Sequence, residues 1–174
     1  MAFQYPTAKV HITQNAPDGT ATLIPNSTVP HPSQPLGPTH QVTFIYSTPP
    51  GPFSTSTNAD LDFYTKTASA KPLGVFPAEG GSGCVILDFA PSNGEEKSFI
   101  HKTTTVDYLV VLEGTLELEL LGGTKKVVSK GEVVVQRECQ HSWKNVSTTE
   151  GARIMAVAVG AQGAVHGKME IYGQ

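Results

Sequence analysis

The sequence holds 174 residues, the size of one ordinary domain, and a chain of that length can bury a core without disulfide staples. Charged residues make up only 16% and hydrophobic ones 39%, while 17 glycines and 13 prolines favour short strands and turns over long helices. A formal net charge of −3 removes the electrostatic case for nucleic acid or an anionic membrane as partner and leaves a small molecule.

The first strand is predicted at residues 9–13; the turn residues of 15–19 end it and the chain resumes as a strand at 20–24. Prolines 25, 30, 32, 35 and 38 predict an irregular surface loop over 25–38, because a residue without an N–H cannot donate to a ladder. Residues 41–47 alternate Val42, Phe44 and Tyr46 with other residues and read as a strand closed by Pro49, Pro50 and Pro52. A short helix is expected over 59–64. From residue 80 onward strands are expected at 83–89, 97–102, 106–112, 115–121, 125–128, 132–136, 141–145 and 152–159. Turn signals such as Asn93-Gly94, Gly122-Gly123 and Lys130-Gly131 separate them. Short strands at such regular spacing predict an all-β antiparallel sandwich or barrel. One domain is expected, with N-terminal strands and the Pro-rich loop (1–79) packed on a core (80–160) that is followed by a tail (161–174).

Cys84 and Cys139 are the only cysteines, and their spacing suits neither a disulfide framework nor a zinc ribbon. Ordinary thiols in a reducing compartment are expected. Residues 1–10 show no basic start leading into an apolar run, and no stretch approaches the ~20 apolar residues that cross a bilayer. The expectation is a soluble, cytoplasmic protein.

Two clusters could carry chemistry. In the first, His101, Thr103, Thr105 and Asp107 share parity. On one unbroken strand His101 and Asp107 would stand roughly 20 Å apart, too far for one metal, whereas a turn near Thr104 would let adjacent strands bring them together. In the second, His141, Trp143 and Asn145 share a face after a strand that ends at Gln136.

These residues resemble the two motifs of the cupin family. His101, Asp107 and Gly114 stand where the first motif has a histidine, a carboxylate and a glycine, with Thr103 in place of a second histidine; Gly131, His141 and Asn145 match the second, with Arg137 and Cys139 replacing its proline and glycine. The run from His101 through Asp107-Tyr108 to Leu112-Glu113-Gly114 is more specifically similar to small cupins of fungal secondary-metabolite gene clusters, as is Val133 to Arg137. The resemblance implies an antiparallel jelly-roll β-barrel and one divalent metal (Fe, Zn, Mn or Ni) held by His101, Asp107 and His141, with open positions for substrate. It also implies pairing as a homodimer.

Other residues have two readings each. Trp143 either floors an apolar pocket or belongs to the core. Thr103 and Thr105 either bind substrate inside the barrel or simply favour strands. Gln136 and Arg137 either hold a carboxylate or carbonyl of the substrate or lie on the surface. The leading functional expectation is a metal-dependent lyase (decarboxylation or dehydration) or isomerase acting on a polyketide-like hydroxy or keto acid in secondary metabolism. An Fe(II)-dependent oxygenase or other oxidoreductase and a non-catalytic metabolite-binding cupin are the alternatives.

Overall fold

The computed structural model describes residues 3–94 and 100–172. The chain forms two facing antiparallel sheets, a jelly roll, with one helix at the side. A separate hairpin, β1 (Thr13–Asn15) and β2 (Ala21–Leu23), precedes them. The six-stranded sheet contains β3 (Ser33–Leu36), β4 (His40–Thr48), β5 (Ser82–Phe89), β7 (Thr105–Glu113), β10 (Val133–Arg137) and β12 (Ala152–Gly160), in the order β10-β7-β12-β5-β4-β3. The five-stranded sheet contains β6 (Ile100–Lys102), β8 (Thr115–Leu120), β9 (Lys125–Ser129), β11 (His141–Asn145) and β13 (Glu170–Tyr172), in the order β13-β6-β11-β8-β9. Helix α1 spans Ala59–Ala68, ten residues where six were expected, with Asp60 and Asp62 in its first turn and Lys66 in its last, charges that suit the helix dipole.

The period-two pattern explains the core. Phe89, Leu109, Val111, Ala152 and Ile154 from one sheet meet Leu116, Leu118, Val128 and Trp143 from the other, while Glu117 and Glu119 point away and pair with Lys125. A second cluster forms where α1 packs against β4: the Tyr64 ring lies 5.3 Å from Phe44 and 4.8 Å from Tyr46. Gly114 makes the tight turn between β7 and β8 with φ +76°; a Cβ there would stand 2.7 Å from the Gly151 carbonyl, so no other residue fits without a shift.

Four expectations need correction. The first strand lies at Thr13–Asn15 rather than 9–13. The helix runs four residues further than expected. The proline-rich stretch 25–38 is not wholly irregular: a 3-10 turn occupies Asn26–Thr28, and β3 includes Pro35. That strand is tolerated because it is the last in its sheet, where one side of the backbone has no neighbour to bond. The tail 161–174 contributes β13, which pairs with β6. Of the strand expected at 97–102, residues 97–99 lie outside the described residues; 100–102 form β6.

An N-terminal strap crosses the six-stranded sheet. The Tyr5 hydroxyl donates to the Gly151 carbonyl (2.8 Å), and Arg153 donates to the Pro6 carbonyl (2.9 Å) while gripping the buried Asp88 carboxylate with two nitrogens.

Candidate metal and substrate site

The break in the chain at Thr103 and Thr104 builds the site. Before it, β6 belongs to the five-stranded sheet and sets His101 directly opposite His141 of β11. After it, β7 belongs to the six-stranded sheet and sets Asp107 directly opposite Gln136 of β10. Two cross-strand pairs, one from each sheet, thus face the interior at one end of the jelly roll. The two imidazole rings lie 4.3 Å apart between centroids, tilted by 55°.

One chain of hydrogen bonds ties the cluster together, and its directions are fixed by the indole, which can only donate. Trp143 Nε1 donates to Gln136 Oε1 (3.3 Å), so the Gln136 amide nitrogen must face the other way. There it donates to Asp107 Oδ2 (3.1 Å) and to His141 Nε2 (2.9 Å). His141 therefore keeps its proton on Nδ1 and donates it to the Cys139 carbonyl (2.8 Å). Burial agrees with this neutral tautomer: it holds the His141 pKa below the ordinary value, outweighing the opposite pull of the Cys139 carbonyl. Burial pushes the Asp107 carboxyl up, against smaller opposing effects of Thr105 and Gln136. Asp107 Oδ1 is buried and has no hydrogen-bond partner among the described residues.

These groups form the polar end of a cavity of about 230 Å³. The rest of its wall is mostly apolar, with Val42, Val85, Leu87, Phe89, Ile154 and Ala156 among the lining residues and Gln34 and His40 as polar ones, and among the described residues no lysine or arginine lines it. Such a cavity suits a small molecule of mostly hydrocarbon surface with a few oxygens at one end.

The donor set fits a divalent metal by its chemistry. It offers two imidazoles and a carboxylate, the Cys139 carbonyl orients His141 as backbone carbonyls orient metal-ligating histidines, and Asp107 Oδ1 is a buried acceptor with its lone pairs unused. The side chains are not drawn together as a finished metal cage: among the described residues no group of three or more His, Cys, Asp or Glu stands close enough to hold an ion. Gln136 stands between two of the three, its amide donating to both Asp107 Oδ2 and His141 Nε2.

Of the residues singled out in the sequence, His101, Asp107, Gln136, His141 and Trp143 line the cavity together, and Asn145 does not reach it. Trp143 satisfies both of its readings, as cavity wall and core. Thr103 and Thr105 are buried, bond each other at 2.7 Å and do not line this cavity. Arg137 is exposed because it follows Gln136 on β10 and so takes the opposite face; it does not reach the cavity. His40 was missed. It lines the cavity, meets the Phe89 ring edge-on at 4.8 Å and bonds the Thr39 hydroxyl, and its shared parity with Val42 was the signal.

A model of the cupin domain matches residues 85–158. The chain is 34% identical over 162 residues to Oryzines biosynthesis cluster protein J of Aspergillus oryzae, covering 91% of this chain and 86% of that protein. It is 31% identical over 147 residues to Phomopsin biosynthesis cluster protein D of Diaporthe leptostromiformis, covering 83% and 75%. With the cupin-domain-containing oxidoreductase srdD of Neurospora crassa it shares 33% identity over 128 residues, 72% of this chain and 61% of that one. With the histidines and carboxylate of its two motifs gathered at one end of a jelly roll and relatives drawn from fungal biosynthesis clusters, the chain belongs to the cupin family.

Proposed function

We propose that this cupin is a metal-dependent enzyme that oxidises a small, mostly apolar, oxygen-bearing metabolite, with O2 as the oxidant. One observation carries the reading: the facing pairs His101–His141 and Asp107–Gln136 bring two imidazoles and a carboxylate to the polar end of an apolar cavity. His101, Asp107 and His141 would hold the ion, a set that suits Fe(II), Zn, Mn or Ni. When bound, the metal supplies O2 activation or Lewis-acid polarisation of a substrate oxygen. The protein does the rest. The wall around Val85, Leu87, Phe89 and Ile154 binds the hydrocarbon part and excludes water, and the His40 imidazole offers a second polar contact. Among the described lining residues none is a lysine or arginine, so a substrate carboxylate would have the metal as its cation, and neutral phenols and ketones suit the rest of the wall. The similarity to a cupin oxidoreductase supports oxidation.

A second reading, a lyase or isomerase, is favoured by Asp107 itself. A buried carboxylate with a raised pKa and an unengaged oxygen can take a proton from a carbon beside a substrate carbonyl. The decisive experiment incubates protein loaded with each metal with aromatic and polyketide-like hydroxy and keto compounds, following O2 by electrode and products by mass. Stoichiometric O2 uptake supports oxidation; equal turnover under argon and in air replaces it with the lyase reading; no turnover by any metal form leaves a metabolite-binding protein.

The expected homodimer has a surface to match. On the outer face of β10, β7 and β12, Val133, Val135, Tyr108 and Val159 are exposed side by side, with Arg137 as the charge at one corner. An exposed apolar patch of this kind suits apolar complementarity, which a second copy of itself supplies.

A further inference from the structure

The Gln136 amide nitrogen faces lone pairs on Asp107 Oδ2 and His141 Nε2, and the second is the one that a metal held by His141 would need, since the other ring nitrogen is bonded to the Cys139 carbonyl. It is anchored there from behind, because its oxygen accepts the Trp143 indole N–H. Turning the amide to offer its oxygen inward would bring its NH2 group against the indole N–H, two donors with no acceptor between them. We propose that Gln136 is a built-in stand-in for the cation: it occupies two of the site's acceptors, competes with metal for them, and must break its bond to Trp143 when metal enters.

The proposal rests on the metal reading of the same site and adds a residue that sets how tightly and how selectively that site fills. A weakly bound ion, or one that strongly prefers water to imidazole, does not displace two hydrogen bonds; an ion with high affinity for nitrogen does. The chain carries one tryptophan, Trp143, so its emission reports on the surroundings of this bond alone.

The test titrates metal-free protein with Zn²⁺ and with Mn²⁺ alone, by calorimetry and by tryptophan emission, in the wild type and in Gln136→Leu. Removing the amide removes its competition for two lone pairs, so the leucine variant should bind Zn²⁺ about tenfold more tightly. In the wild type Zn²⁺ should shift the Trp143 emission toward the value that the leucine variant shows without metal, and the variant's own emission should change less on binding. Circular dichroism checks folding, and Gln136→Met, which keeps the length of the side chain without its amide, replaces the leucine variant should that one not fold. Weaker Zn²⁺ binding by the variant would make Gln136 a ligand or a support and overturn the proposal while leaving the metal reading intact. An unchanged wild-type emission at saturating Zn²⁺ would overturn it as well. No binding by wild type or variant would overturn the metal reading, and this proposal with it.

Discussion

The two ends of the jelly-roll interior are built from the same strands and treat their polar atoms in opposite ways. At the end marked by Asn145, the side-chain nitrogen donates to the Ala90 (3.0 Å) and Glu150 (2.8 Å) carbonyls, and its oxygen accepts from the Ser147 N–H (3.0 Å). Leu116, opposite it on the neighbouring strand, and Val128 beyond are fully buried core residues. At the other end, four residues earlier on the same strand, His141 joins a cluster in which an amide fills the middle, a carboxylate oxygen is left over, and a cavity opens alongside. Asn145 belongs to the same family motif as His141, yet its hydrogen-bonding capacity is spent on holding loops together. Membership of a motif does not make a residue part of the chemistry; unspent hydrogen-bonding capacity is the better guide.

That contrast can be broken by substitution. Leu116→Ala, at the closed end, should lower stability by about 2–5 kcal/mol in urea unfolding while leaving ligand binding in the cavity unchanged. His141→Ala should do the reverse, weakening metal binding at least about 100-fold by calorimetry with the strand signal in circular dichroism intact. Full metal occupancy in that variant would remove His141 from the site. Asn145→Ala should cost about 1–3 kcal/mol through the carbonyls of Ala90 and Glu150 left without their donor, with no effect on metal.

Acid sharpens the comparison, because three titratable groups with shifted values, His40, Asp107 and His141, line the cavity, while His31, depressed by burial in the same sense, lies outside it. Burial depresses the pKa of His40 and of His141, so the folded state favours their neutral forms. Their contribution is complete above the unfolded value of about 6.5 and is lost as pH falls below it. Asp107, shifted upward, contributes with the opposite sign, losing its share as pH rises through its folded value. The urea midpoint should therefore decline between about pH 6.5 and 5, and less steeply in His40→Asn; a flat profile would count against the buried neutral histidines. The smallest effect is expected at Arg137→Ala, within about 0.5 kcal/mol in stability and without effect on ligand affinity, since the side chain is exposed and turned from the cavity.

Most strands and the meeting of His101 with Asp107 were legible because alternation and a forced turn are local properties. The same alternation should have separated Gln136 from Arg137, since neighbours on a strand cannot both face inward; they were grouped by chemistry instead of by parity. His40 lay before the expected start of its strand and so escaped the face it shares with Val42. Strands β3 and β13 were invisible for a different reason: each is short and exists through a partner, β4 or β6, whose pairing no local pattern announces. The Gln136 bridge was beyond reach of the sequence, because it depends on the direction of one indole N–H across the interior.

The strap sets an order of assembly. Residues 4–6 bond residues 149–153, so Gln4 meets Gly151, and Pro6 meets Arg153, across separations of 147 positions. During synthesis the strap has nothing to dock on until β12 has been made, and closing so long a loop defers its contacts to a late stage of folding. Asp88 waits with it, a carboxylate committed to the middle of the molecule whose guanidinium partner arrives 65 residues later. The six-stranded sheet is thus sealed by the joining of its most distant parts, and its completion is a check that the intervening chain has folded.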